Sequence, residues 1–238
     1  VSGTAAELGT ILGVWAHPDD ETYLSGGLMA HGVRAGAVVA CVTATRGEAG
    51  SSDEVRWPPG APLAATRTGE LERALACLGV ADHTWLDYPD GGCASIEDAV
   101  AVESICAVID RVRPDTVLSF GPDGVTGHDD HRAVSRWATR ATARAGHAGA
   151  RLLFATYTPQ WLEQFRQPFE AVGAFMGAEP PSTDADDCAV HTVLTEDLLD
   201  VKLSAILCQT SQIDPLVAGL GMSLLRRSLA EEAFRPAG

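Results

Sequence analysis

Short apolar runs alternate along the chain with longer stretches of helical periodicity. The run ILGVWA at 11–16 stops at a polar cluster, and 21–31 then carries enough small and apolar residues for a short helix. A second run, AVVACVTA at 37–44, leads into a polar stretch containing Arg46, Gly47, Glu48 and Gly50 and closed by Pro58 and Pro59. Such a loop is usually functional or mobile. Leu71, Leu75 and Leu78 recur at helical spacing within 64–78, and Gly79 is placed to end that helix. HTWLDY at 83–88 predicts a third strand, and Pro89-Asp90-Gly91-Gly92 reads as the turn after it. A helix over 96–111, a strand TVLSF at 116–120, a helix over 131–145 and a strand LLFATY at 152–157 complete a regular series.

That series is βαβαβαβαβ. Strands this apolar, separated by amphipathic helices, predict an α/β fold whose mainly parallel sheet is covered on both faces, with right-handed crossovers and ligands beyond the carboxyl ends of the strands. Over 158–187 the pattern weakens around Trp161, Phe165, Phe169, Phe175 and Pro180-Pro181, so a lid or irregular wall is as compatible as a regular element. A last strand over 189–194, Thr195 as a helix cap and a helix over 196–208 end the ordered part of this reading, and FRPAG reads as a loose tail. Neither a repeat nor a low-complexity linker interrupts the chain, so a single domain over 1–238 with a variable segment at 158–187 is the simplest organisation.

With 238 residues, 46% of them hydrophobic, the chain has material for one substantial core. A folded chain of this mass buries roughly 70% of its unfolded surface without needing disulfides. Charge changes the picture more. Thirty-two acidic against 17 basic residues give a formal net charge of -15, a field that repels phosphate backbones and anionic lipid, so nucleic acid is excluded as a natural partner. The first ten residues lack a basic region and a long apolar stretch, and no run approaches the ~20 apolar residues of a membrane span, which predicts a cytoplasmic protein. The six cysteines make no CxxC pair and read as buried thiols.

Two polar clusters carry the candidate chemistry. His17-Pro18-Asp19-Asp20-Glu21 follows the first strand directly, and His128-Asp129-Asp130-His131 follows the fourth at the start of a helix. Alone, acidic residues before a helix are usually caps, and a single histidine is usually hydrogen-bonded rather than a ligand. Together the clusters mean more, because strands one and four of a doubly wound sheet commonly flank the topological switch point. His17, Asp20 and His131 then form a His2Asp set for a divalent metal, with Asp19 free to orient or deprotonate a water. Zinc suits imidazole and carboxylate and activates water without redox chemistry; Fe2+ or Mn2+ remains compatible.

AHPDDE at 16–21, TRGEAG at 45–50, LDYPDG at 86–91 and GHDDH at 127–131 resemble the LmbE/PIG-L family of metal-dependent N-acetylglucosamine deacetylases, over about 10–212. The resemblance implies a Rossmann-like three-layer αβα sandwich, although no G-x-G-x-x-G dinucleotide fingerprint is present. It implies a metal on His17, Asp20 and His131, Asp19 as general base, His128 as oxyanion partner or general acid, and Asp130 as the carboxylate that orients His128. Arg46, Glu48 and Asp90 stand on family-like turns where sugar hydroxyls could bind, with structural roles equally open. Arg67 and Glu70, three apart on one helix, read as a structural pair. Gln209 departs from the pattern, because a histidine often stands there.

The implied activity is zinc-dependent hydrolysis of the acetamide of a small N-acetylated sugar conjugate. Another metal-dependent amide hydrolase, or a carbohydrate-binding relative without turnover, are the alternatives.

Overall fold

The structure, a computed structural model, describes residues 8–145 and 149–238. The reading of the first ten residues therefore falls largely outside the described part.

The predicted alternation is present. β1 (Ile11–Trp15), α1 (Asp20–Arg34), β2 (Val39–Thr45), α2 (Ala61–Leu78), β3 (Asp82–Tyr88), α3 (Asp98–Val112), β4 (Thr116–Phe120), α4 (Asp129–Arg144) and β5 (Arg151–Thr156) follow one another along the chain. Every residue of β1, β2 and β4 is buried, which is why these strands read as continuous apolar runs instead of alternating ones. Gly79 ends α2 at φ 78, a left-handed turn in which its N–H meets the Ala76 carbonyl.

With β6 (Val190–Val193) and β7 (Glu231–Pro236), the sheet order is β3-β2-β1-β4-β5-β7-β6. The first five strands pair in parallel, and the chain reverses its direction of travel between β1 and β4. Helices α1, α2 and α6 (Glu196–Leu207) pack on one another, and α3 packs on α4, giving helical layers on both faces. The fold is an α/β three-layer sandwich around a mixed, mostly parallel sheet.

The C-terminal part corrects two expectations. Order does not stop near residue 208: α7 (Thr210–Leu220), α8 (Met222–Ser228) and β7 (Glu231–Pro236) follow α6. The expected loose tail instead supplies β7, which pairs antiparallel with β5 on one side and with β6 (Val190–Val193) on the other. Phe234 is fully buried there. Glu232 reaches α1, where its carboxylate accepts hydrogen bonds from Gly27 N (2.7 Å) and Leu28 N (2.8 Å). The chain's single lysine, Lys202, is buried beside it with Nζ 2.7 Å from Glu232 Oε1.

The segment after β5 also gains definition. Thr158 caps α5 (Pro159–Ala171), its Oγ1 accepting from Trp161 N at 3.1 Å, and Pro159 occupies the first turn, where no N–H is needed. Thr195 holds the N-cap position of α6 but makes no capping bond to its backbone. Cys41, Cys93, Cys106 and Cys188 are buried free thiols, whereas Cys77 is exposed and Cys208 partly so. No helix among the described residues is long and apolar enough to cross a membrane.

If β7 is integral, Glu232→Ala should cost about 3–5 kcal/mol in urea denaturation, because it strands a buried lysine and two backbone donors. A loss below about 1 kcal/mol would show that the pair contributes little.

Candidate metal centre

The turn after β1 is strained and heavily tied. Asp19 adopts φ 136, a conformation that L residues rarely take. Its N–H donates to Glu21 Oε2 (3.0 Å), and its carbonyl accepts from the backbone N–H groups of Thr22 and Tyr23 at 3.0 Å. Arg67, from α2, donates to Pro18 O (2.6 Å) and Gly47 O (3.0 Å) and lies 3.2 Å from Asp19 Oδ2. A side chain at Gly47, where φ is 66, would collide with that guanidinium. Burial carries the Asp19 carboxyl up to about 7 against the pull of Arg67, and the Asp20 charge adds to the rise.

Gln209 supports this turn from behind. Its Nε2 donates to Glu21 Oε1 at 2.9 Å, and its Oε1 lies 2.8 Å from Thr22 Oγ1. The amide is thus a buried brace for the acidic motif and does not line the cavity in front of it.

The second cluster approaches from β4. His128 stands at the N-cap of α4, where its Nδ1 accepts the Asp130 N–H at 3.1 Å. The Asp130 carboxylate does not orient His128. It accepts from Gly91 N (2.8 Å) and Cys93 N (3.0 Å) and lies 3.3 Å from His17 Nε2. Asp90 Oδ1 joins it, 3.0 Å from the same nitrogen. Burial opposes the Asp130 charge, but His17 and the two backbone donors outweigh it and hold the carboxyl below its ordinary value.

His131 is fixed on three sides. Its ring stacks on Phe120 with centroids 4.1 Å apart, and its Nδ1 lies 2.9 Å from Gly124 O. Because that carbonyl can only accept, Nδ1 is assigned the proton and Nε2 the lone pair. The Nε2 atom faces His17 Nδ1 at 3.1 Å and Asp20 Oδ1 at 3.4 Å, while His17 Nδ1 lies 3.7 Å from Asp20 Oδ2. Since His17 Nε2 is turned to Asp130 and Asp90, its Nδ1 is the other free donor.

Two imidazole lone pairs and a carboxylate so converged repel one another unless positive charge lies among them. Burial works against a charged His17, yet hydrogen bonds to Asp130 and Asp90 and the Asp20 charge carry it up to about 10. The donor set fits a divalent metal as well as a proton, because tetrahedral zinc ligands stand about 3.3 Å apart. A histidine bonded through its other nitrogen to carboxylates is also the usual support of a metal ligand. Among the described residues, the groupings whose donor atoms all lie within 4.8 Å of one another are His17 with His128 and His131, and His17 with Asp90 and Asp130; in the His17–Asp20–His131 set the two rings face different oxygens of Asp20. The grouping with Asp90 and Asp130 is the poorer ligand set, because Asp130 is already committed to two backbone N–H groups.

A cavity of about 540 Å³ opens in front of this cluster. Asp19, Asp20, Arg67, Asp90, His17, His128 and His131 line part of it. Of the three suggested sugar contacts only Asp90 is among the lining residues. Arg46 instead lies 4.3 Å over the Trp85 ring and donates to Asp87 and Thr68, and Glu48 accepts the Asp90 N–H at 2.9 Å. The expected Arg67–Glu70 pair is replaced as well: Arg67 serves the site, and Glu70 binds Thr210 and Ser211. The signal for Arg67 was its place on the buried stripe of α2, one turn from both Leu63 and Leu71.

The model of the GlcNAc-PI de-N-acetylase (PIG-L) family matches residues 12–142, a span containing both clusters and the strands that carry them. The chain belongs to this family. Among curated relatives, the 1D-myo-inositol 2-acetamido-2-deoxy-alpha-D-glucopyranoside deacetylase 2 of Catenulispora acidiphila is 37% identical over 63% of this chain and 56% of its own length. The 1D-myo-inositol 2-acetamido-2-deoxy-alpha-D-glucopyranoside deacetylase of Thermomonospora curvata is 30% identical over 94% of this chain and 87% of its own. In the first relatives the match spans only about half of their length, 46% to 62%. Solved structures that share the fold include two of different stated activity. N,N'-diacetylchitobiose deacetylase from Pyrococcus horikoshii has a TM-score of 0.65 at 23% identity and covers 97% of this chain and 84% of its own. The 4-carboxy-2-hydroxymuconate hydratase from Pseudomonas putida has a TM-score of 0.67 at 19% identity and covers 97% of both chains.

Titration with Zn2+ should reveal one site per chain, with Asp20→Ala and His131→Ala weakening it about 100-fold or more and His128→Ala less than about threefold. An equal loss in His128→Ala would move the ligands to the three histidines.

Proposed function

We propose that this chain hydrolyses the acetamide of a small N-acetylglucosamine-containing glycoconjugate, releasing acetate and a free amine, with zinc on His17, Asp20 and His131. The observation that carries this reading is the grouping of two imidazoles and a carboxylate, converged at 3.1–3.7 Å, with a strained, buried carboxylate and a separate imidazole in one cavity. When bound, a divalent metal would supply Lewis acidity to a water and to the acyl oxygen.

The chain's own groups account for the proton movements. Asp19, which burial brings to about 7, can accept a proton from attacking water near neutral pH. The Asp130 N–H occupies Nδ1 of His128, so the neutral ring carries its proton on Nε2 and can donate to the acyl oxygen as negative charge develops there. A water oxygen bonds to the acyl carbon, the C–N bond breaks, and the leaving nitrogen takes the proton held by Asp19 or His128. Asp130 and Asp90 act through His17 by holding its ring, and Arg67 keeps Asp19 in place. Arg67 and Asp90 also present polar atoms to the cavity and are the candidates for sugar hydroxyls. Arg46 and Glu48 contribute by shaping the loops around them.

The fold likeness to a hydratase favours one competing reading, addition of an activated water to a carbon–carbon double bond. Acetate release separates the two. Metal-loaded protein should release acetate from a panel of N-acetylglucosaminides, and Asp19→Asn should lower kcat by about 10²–10⁴ with metal retained. No acetate across the panel would overturn the assignment.

A further inference from the structure

The lining of the cavity divides by element into two parts of opposite chemistry. Every charged side chain that lines it comes from the loops after β1, β3 and β4, or from α1, α2 and α4. From the chain after β5 and from α7 the lining carries no charge; its larger side chains are Tyr157, Phe169, Phe175, Met176, Pro215 and Leu216, together with the amide of Gln212, whose Nε2 donates to Gly50 O at 3.0 Å. This wall is built in advance. Phe175 is buried with Trp161 and Phe165 in a separate aromatic cluster, and Tyr157 stacks on Trp161 at 4.2 Å. Trp161 is anchored in turn by a 2.8 Å hydrogen bond from Nε1 to Ser228 O. α7 closes on the same segment so tightly that a side chain at Gly219 would run into Val172.

The direction of the wall identifies the part of a substrate that it meets. The metal cluster is buried, with His17 8% and His131 6% exposed, whereas Met176 is 64% exposed and Pro215 is exposed as well. A carbonyl carbon reacting at the cluster therefore lies at the depth of the cavity; the aglycone, on the ring carbon next to the one that bears the acetamide, leaves with the sugar toward the exposed side, where Met176, Pro215 and Leu216 offer the sugar's own hydroxyls few partners. A polyol placed there would lose water from its hydroxyls and meet few partners, which costs free energy; an aryl or alkyl group meets rings and methylenes.

We propose, on the basis of the deacetylase reading above, that this apolar part is an aglycone subsite, and that the preferred substrate is an N-acetylglucosaminide carrying an uncharged aryl or short alkyl aglycone instead of a polyol. The subsite leaves the amide chemistry unchanged and selects among substrates.

The test compares the methyl, benzyl and myo-inositol glycosides of N-acetylglucosamine by acetate release, and their deacetylated amines by calorimetry on the metal-loaded protein. Benzyl should lead both others by about tenfold or more in kcat/KM and in Kd, and Met176→Asp and Leu216→Asp should each shrink the benzyl-to-methyl ratio by about fivefold. Equal values, or a lead for the inositol glycoside, would overturn the subsite while leaving deacetylation intact. A methyl glycoside with an N-hexanoyl group cleaved faster than the N-acetyl benzyl glycoside would assign the wall to the acyl chain and overturn it too. Without acetate from any glycoside the deacetylase reading fails, and the calorimetric order alone decides the subsite.

Discussion

The parallel pairing of β1 with β4 is the constraint on which the site depends. These strands are about a hundred residues apart in the chain, yet Ile11, Leu12 and Gly13 align with Thr116, Val117 and Leu118. Ser119 Oγ donates to Val14 O at 2.9 Å, pinning the strands near their carboxyl ends. Trp15 meets Phe120 edge-on at 5.1 Å, and Phe120 stacks on His131. The core therefore continues without a break into the ring that would ligate a metal. Because both strands are buried and run the same way, the loops that follow them must emerge side by side, and their polar residues face one another.

Such a meeting of acidic groups and imidazoles is costly, and the surrounding structure answers it locally. Asp130 is held charged by His17 and backbone N–H groups, Arg67 offsets part of the burial that raises Asp19, and Glu21, which burial pushes up to about 8, accepts from Gln209 and the Asp19 N–H. Farther back, the single lysine offsets Glu232, which in turn engages the middle of α1. The strained Asp19 backbone persists because so many bonds converge on it. These are separate solutions to one problem, that of keeping charge away from water without leaving it unpaired.

The sheet, its parallel core and the adjacency of the two motifs were legible because continuous apolar runs and helical spacing report burial directly. Partner choice was not. Asp130 sits two residues from His128, but its carboxylate is taken by the chain turning at Gly91 and Cys93 and by His17, contacts that depend on where the turn after β3 meets the start of α4. Arg67 stood in an apolar stripe, where its spacing marked it as buried, and the charge three residues on suggested a false partner. β7 escaped notice because Glu231, Glu232 and Arg235 make it look like solvent-exposed chain; it is buried only once Lys202 and α1 are in place. Pro215 and Gly219 concealed α7 in the same way, since both disfavour a helix in isolation.

The central claim is that two distant motifs form one metal centre, and X-ray absorption at the zinc edge of the loaded protein tests it most directly. The account predicts a first shell of two imidazole nitrogens with oxygen donors at about 2.0–2.2 Å, and loss of one imidazole in His131→Ala. A shell containing sulfur, or one imidazole both before and after that substitution, would contradict it.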